Sequence, residues 1–359
     1  MTDVRYDAQI FEAQRRGGIS RYFVELMRQF DHDPALGVTV STPFRRIRNE
    51  HLAEAYPGRY KVAPPLGRVR RLLERPFRPD DPAAELVHLT YYDRAALDAA
   101  RGLPVVSTVH DMIPELFPHE FPAGNPHLDK EACVGASAGL VCVSETTRRD
   151  LLALYGELAG DVVVIPHGVG DEFRTPARPR VRLPDSYVLY VGRRGGYKDW
   201  AVVVDAFASG ALGAGVSLVC LGGGAFTADE RALLTERGVA ARTHLLRVPD
   251  SDLPGVYAAA AAFAFPSRYE GFGLPVLEAF AAGCPVVVAD TDCSREVADD
   301  AARYFAAGDA DALADALGAL LRDDSARDRL VAAGRRRAAG FTWRRTAEAT
   351  AAFYREVAA

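Results

Sequence analysis

At 359 residues the chain is long enough for two domains rather than one. With 49% hydrophobic and 25% charged residues it has the balance of a globular protein, and a formal charge of −5 argues against a general nucleic-acid binder. Five cysteines (Cys133, Cys142, Cys220, Cys284, Cys293), odd in number and without C-x-x-C spacing, read as reduced thiols and not as a disulfide frame or zinc site. Met1–Tyr6 carries no apolar signal region and no run reaches membrane-spanning length, so a cytoplasmic protein is expected. Heavy use of Ala, Arg and Asp is the bias of a GC-rich bacterial genome.

In chain order, Val4–Phe11 is expected as a first strand, 12–18 as a loop and Ile19–Phe30 as an amphipathic helix. Gly17 and Gly18 ahead of that helix make an anion-receptive corner or a plain turn. Val38–Phe44 suits a strand. A basic segment follows, with Arg45, Arg46 and Arg48, then Arg68, Arg70, Arg71, Arg75 and Arg78 interleaved with Leu66, Val69, Leu72, Leu73 and Phe77. It admits two readings, a membrane-surface patch or a solvated loop, and Pro64, Pro65, Pro76, Pro79 and Pro82 favour irregular structure. Glu85–Tyr91, Pro104–Val109 and Ala138–Val143 are expected as parallel strands. The second ends in His110-Asp111, at the strand end where α/β sheets bind ligands. Ser144 suits the cap of a helix over Glu145–Tyr155. Val162–Val169 reads as the last strand of the first half, and the proline-bearing stretch Arg174–Pro184 as the domain join.

The second half alternates strands (Tyr187–Val191, Val216–Leu221, His244–Val248, Ala261–Phe265, Pro285–Ala289) with helices (Asp199–Ala208, Asp229–Arg237, Ser251–Ala259, Pro275–Ala282). That pattern means a doubly wound parallel sheet. In Gly192–Lys198 small residues allow close approach, and Arg193, Arg194 and Lys198 could bind a diphosphate or be solvated. Gly222-Gly223-Gly224 reads as a strand-to-helix turn without chemistry. Asp309–Arg322 is helical, and Phe341-Thr342-Trp343 opens a last helix to Val357.

The densest stretch is Phe265–Asp290, read as strand, glycine loop, helix and strand. Gly271 and Gly273 let the backbone turn sharply, Pro275 fits the first helical turn and Gly283 its stop. Glu270 and Glu278 bracket the loop with seven residues between them, as acceptors for vicinal hydroxyls or as a solvated Glu and a dipole-compensating Glu.

This stretch resembles the Glu-x7-Glu signature of family-4 glycosyltransferases, retaining enzymes of GT-B fold, and the resemblance covers essentially the whole chain. It implies two Rossmann-like doubly wound domains facing a central cleft: 1–170 on the acceptor side, 171–340 for the nucleotide-sugar, and 341–359 a helix crossing back onto the first. Carried over, Glu270 contacts the donor sugar and Glu278 the ribose, with amides from Phe272, Gly273 and Leu274 between. The segment Ser107–Pro114 resembles the one whose His, here His110, lies beside the donor sugar; Asp111 is a weaker candidate, and Ser144 resembles the Ser closing that crevice. Gly17–Tyr22 resembles the loop lying against donor phosphates and acceptor, closest to polysaccharide and O-antigen members, many of them mannosyl- or rhamnosyltransferases. Gly192–Lys198 resembles the Gly-Arg…Lys element that neutralises the leaving diphosphate; spacing favours Arg193 over Arg194. Ser294-Arg295-Glu296-Val297 sits where relatives often have Pro-Glu-Val, with Arg295 in place of the proline.

The resemblance thus implies transfer of a hexosyl unit from a nucleotide-diphosphate sugar to a saccharide, lipid-linked or natural-product acceptor. No cofactor or metal is expected. A sugar-nucleotide epimerase, a sugar phosphorylase and a non-catalytic nucleotide-sugar-binding subunit are the alternatives.

Overall fold

The computed structural model describes residues 1–42, 46–62, 84–100, 102–121, 125 and 127–359. The hydrophobic-basic segment over 66–78 lies outside the described residues. The chain divides into two compact units, Met1–Gly168 with Trp343–Ala359, and Val169–Thr342. No helix among the described residues is long and apolar enough to cross a membrane.

The first unit is built on six parallel strands: β1 (Thr2–Tyr6), β2 (Val38–Ser41), β5 (Leu86–Leu89), β6 (Val105–Val109), β7 (Gly139–Cys142) and β8 (Asp161–Val164), in spatial order β2-β1-β5-β6-β7-β8. Two short strands, β3 (Arg46–Ile47) and β4 (Lys61–Val62), pair apart from it. The central strands β5, β6 and β7 are buried throughout, the signature of a sheet covered on both faces. Helix α1 (Gly18–His32) buries Tyr22, Phe23, Leu26, Met27 and Phe30, one face of a 3.6-residue period. The expected first strand is shorter and earlier than its apolar run suggests. Asp7 accepts from the Gln9 amide at 2.8 Å, which turns the chain, and Ile10 and Phe11 fall in a helix over Gln9–Ala13.

Helix α2 (Glu145–Tyr155) starts at Ser144, whose hydroxyl accepts from the Thr147 amide at 2.9 Å. The last helix, α10 (Trp343–Ala358), belongs to the first unit: Thr346 donates to the Pro166 carbonyl at 2.8 Å, and Tyr354 shares a 3.0 Å hydroxyl contact with Tyr6.

The second unit repeats the theme more regularly. Strands β9 (Tyr187–Val191), β10 (Ser217–Leu221), β11 (Thr243–Leu246), β12 (Ala262–Phe265), β13 (Val286–Ala289) and β14 (Arg303–Phe305) are all parallel, in order β11-β10-β9-β12-β13-β14. This is the doubly wound order in which strand sequence reverses between β9 and β12. Helices α3 (Trp200–Ala208), α4 (Ala228–Glu236), α5 (Leu253–Ala259), α6 (Leu274–Ala282), α7 (Asp292–Ala298), α8 (Ala310–Arg322) and α9 (Asp324–Ala339) cover it. Val188, Val203, Phe207, Leu218, Val287 and Leu317 are fully buried in its core, each worth about 1.5–3 kcal/mol on leaving water. Both sheets, with their helices, make the GT-B class of fold.

Candidate active site

In the second unit the loops leaving β9 and β12 lie side by side, because those strands are neighbours at the reversal point. After β9, Gly196–Lys198 forms a short 3-10 turn, ended by Asp199 with φ 50°, a left-handed conformation that Asp tolerates better than most residues. The Arg268 amide donates to the Tyr197 carbonyl at 2.8 Å and stitches this turn to the loop after β12. The result is a side-chain pairing across the two loops: Lys198 Nζ donates to Glu270 Oε1 at 2.5 Å, with side chains 20% and 13% exposed.

Beyond Glu270 the chain enters α6. Gly273 caps it at φ 98°, where a side chain would be strained, and Gly283 ends it at φ 77°. The helix begins at Leu274, so Pro275 stands second and not first, where its missing N–H is still harmless. This nine-residue helix starts at the same C-terminal sheet edge that carries the Lys198 pair, since β9 and β12 are parallel neighbours. Phe272 is buried against Phe341, ring centroids 6.0 Å apart, which fixes the approach to the helix. Glu278 is buried within α6 and accepts from the Tyr257 hydroxyl at 3.1 Å.

Arg193 and Arg194 part company. Arg193 is exposed, whereas Arg194 is buried and donates to Glu230 and to the carbonyls of Gly222, Gly223, Gly224 and Ala225. The glycine triplet, to which the sequence assigns no chemistry, is therefore half of a contact. A cavity of ≈ 330 Å³ opens at the ends of β9, β10 and β11, walled by Val191, Leu221, Gly222, Gly224, Leu246 and Val248.

In the first unit, His110 follows β6 and is buried against Tyr22, ring centroids 5.3 Å apart, and His167, 5.7 Å apart. Neither of its ring nitrogens has a hydrogen-bond partner among the described residues. Burial, reinforced by the neighbouring His167, holds His110 well below the ordinary histidine range, so the ring is neutral. Asp111 caps the next turn through the Ile113 amide at 3.0 Å, while the buried Lys130 donates to the Asp111 carbonyl and, at 3.1 Å, to Glu115. Gly17 caps α1 in an extended conformation, with Gln14 so close that a Cβ there would stand 2.2 Å from Gln14 Oε1. Gln14 also accepts from the Ser20 amide at 3.1 Å, so one of the free N–H groups beyond Gly17 and Gly18 is already taken. Ser144 is fully buried at its helix cap. His167 and Tyr22 were not singled out by the sequence; only the fold brings these rings to His110.

The chain matches two family models, "Glycosyl transferases group 1" over residues 172–337 and "Glycosyltransferase Family 4" over residues 16–173. Among similar proteins is an O-antigen chain mannosyltransferase B of Escherichia coli, 31% identical over 57% of this chain and 57% of that one, so that little more than half of that relative is spanned. Another is a D-inositol 3-phosphate glycosyltransferase of Frankia alni, 30% identical over 94% of both chains. The chain belongs to glycosyltransferase family 4. The fold of this family 4 glycosyltransferase is also that of Anabaena HepE, solved in complex with UDP and glucose: TM-score 0.75, 16% identity, covering 99% of this chain and 100% of that one.

Proposed function

We propose that this family 4 glycosyltransferase is a retaining, metal-independent hexosyltransferase. It moves a mannosyl-, rhamnosyl- or glucosyl-like unit from a nucleotide-diphosphate sugar to a saccharide, lipid-linked or natural-product acceptor. The observation that carries this reading is the Lys198–Glu270 pair held at the strand reversal beside the α6 N-terminus. A cation, a carboxylate and a helix dipole converge there, as a diphosphate joined to a hydroxyl-rich sugar requires.

In this reading the diphosphate lies against Lys198, Arg193 and the Phe272–Leu274 amides. The nucleoside enters the cavity at the ends of β9, β10 and β11, and Glu278 accepts from the ribose hydroxyls. Charge developing on the leaving phosphate meets donors already in place, which stabilises the transition state without reorganisation. The acceptor attacks from the face the diphosphate leaves, and the departing phosphate oxygen takes the acceptor proton. The C–O bond to phosphate breaks as the new glycosidic bond forms on the same side, so the anomeric configuration is kept. His110, which the resemblance assigns to the donor sugar, is neutral and buried within its own unit, so it has a hydrogen bond and not a charge to offer.

The test is a thermal-shift and hydrolysis screen against GDP-, UDP- and dTDP-sugars, first without metal and then with it. Stabilisation by one nucleotide with slow sugar release fixes the donor, and the product's anomeric configuration checks retention. Donor converted without any acceptor would mean an epimerase, an absolute requirement for inorganic phosphate a phosphorylase, and an inverted product would sink the mechanism.

A further inference from the structure

We infer that Arg194 is the positioning residue that shapes the nucleoside pocket of the donor site. The inference rests on the donor reading above and concerns how that site is held. Its side chain is 1% exposed. Nη1 donates to the Gly222 carbonyl at 2.6 Å, while Nη2 lies 3.3, 3.0 and 3.2 Å from the carbonyls of Gly223, Gly224 and Ala225. Nε donates to Glu230 at 3.1 Å, and the guanidinium carbon stands 4.8 Å from the Phe226 ring centroid.

Four successive carbonyls converge on one cation only if the backbone coils the unusual way. Gly222, Gly223 and Gly224 do so, with φ of 85°, 68° and 74°. The fit is also tight. A Cβ on Gly223 would stand 2.8 Å from Arg194 Nη1, and one on Gly222 would stand 3.2 Å from the Gly192 carbonyl oxygen. The glycine triplet and the arginine are therefore one device. Glu230, the acceptor of Nε, is itself in the capping box with Thr227, so the clamp extends to the start of α4.

This device backs the cavity directly, since Gly222 and Gly224 form part of its wall and Arg194 leaves the same loop that carries Lys198. Only an arginine suits the position. Its planar fork offers five N–H donors in fixed directions, whereas a lysine is a point charge with three. A guanidinium committed to these acceptors has little left for a phosphate, which leaves the exposed Arg193 as the arginine for the diphosphate.

The experiment compares Arg194→Met, Arg194→Lys and Gly223→Ala, the last disturbing the clamp from its other side. The readouts are melting, donor KM and kcat, and inhibition by the matching nucleoside diphosphate against inorganic pyrophosphate. Arg194→Met and Gly223→Ala are expected to raise donor KM and weaken nucleoside diphosphate inhibition at least tenfold. Both should leave kcat within threefold and pyrophosphate inhibition within twofold, and Arg194→Lys should not rescue the loss. Folded variants with donor KM within twofold of the parent would overturn the inference, as would an equal loss of pyrophosphate inhibition, which would make Arg194 a phosphate ligand. If Arg194→Met does not fold, Gly223→Ala carries the same expectation alone. A parent protein that binds no nucleoside diphosphate would instead sink the donor reading, and this inference with it.

Discussion

Lys198 and Glu270 are 72 residues apart in sequence, yet their Nζ and Oε1 atoms lie 2.5 Å apart on two loops that leave neighbouring strands. Neither residue lies in an α-helix or a strand, so the contact is set by strand order: β9 and β12 are adjacent only because the sheet reverses between them. The pair does two things at once. It neutralises a half-buried carboxylate, and in the proposed reaction it holds the ammonium that meets the leaving-group charge.

Lys198→Met is therefore expected to lower kcat by about 10²–10³, the usual cost of losing one preorganised donor, with little change in melting temperature. Glu270→Gln should lose activity too, since it releases the ammonium and weakens hydroxyl recognition. Because the partners are in contact, the double variant should lose much less than the product of the single losses. Steady-state kinetics on the three variants check this, and strictly multiplicative losses would show that the pair does not act together.

Glu278 is a separate case, since its carboxylate is buried and its Tyr257 partner is part of the core. Tyr257→Phe removes one hydrogen bond and should cost about 1 kcal/mol of stability, with donor KM rising several-fold and kcat nearly kept. Glu278→Ala should abolish the nucleotide-dependent thermal shift altogether. A shift that survives in Glu278→Ala would remove this carboxylate from the donor site.

The second-unit strands were legible because buried parallel strands are continuous apolar runs: Tyr187–Val191 is found as expected, and Val286–Ala289 starts one residue late. Elements with little apolar signal were not. Strand β14 has only three residues and an exposed Arg303, and helix α9 buries only Gly334 and Ala338, so neither shows a periodic stripe. Gly334 is small because Phe280 packs on it: a Cβ there would stand 2.6 Å from that ring. Conversely, Ile10 and Phe11 extended an apolar run past Tyr6 and hid the turn at Asp7. Within the site, residue types were readable but their partners were not. Arg193 and Arg194 look alike on paper, and only the left-handed glycines at 222–224 separate a buried clamp from an exposed cation.

The first unit should weaken in mild acid. Burial holds His88 and His167 at about 3 and His110 lower than the ordinary range. Their folded values lie below the unfolded value of 6.5, so the unfolded chain takes up protons that the folded chain refuses. Their contribution to stability is complete above about pH 6.5 and is lost as pH falls toward 3, at about 1.4 kcal/mol per pH unit for each histidine. Asp7 runs the other way. Burial raises it from 3.8 to about 6, so its contribution is largest below about 4 and is lost as pH rises through 6, offsetting roughly one histidine in that window. Urea melts at pH 7.0 and 5.5 should show lower stability at 5.5, and His167→Asn should shrink that difference by about 1 kcal/mol. Equal stability at both values would mean that the three rings are not held neutral by the fold.

The last helix tests how tightly the chain end is bound into the first unit. Gly139, at the start of β7, lies under α10: a Cβ there would stand 2.7 Å from both Phe353 Cζ and Val357 Cγ2. Both contacts are side chain against side chain, so the helix must move or Phe353 must leave its rotamer. Gly139→Ala is expected to cost about 1–3 kcal/mol, the range for overpacking a filled core. At about 2–4 °C per kcal/mol for a unit of this size, that is a measurable fall in melting temperature. Gly135→Ala is the control, because nothing lies within 4 Å of its Cβ position and it sits in a helix, where alanine is the better residue. Phe353→Leu added to Gly139→Ala should recover part of the loss by making room at the ring. If Gly139→Ala melts like the parent, α10 is not packed on β7 in solution, and truncation before Trp343 should then be tolerated.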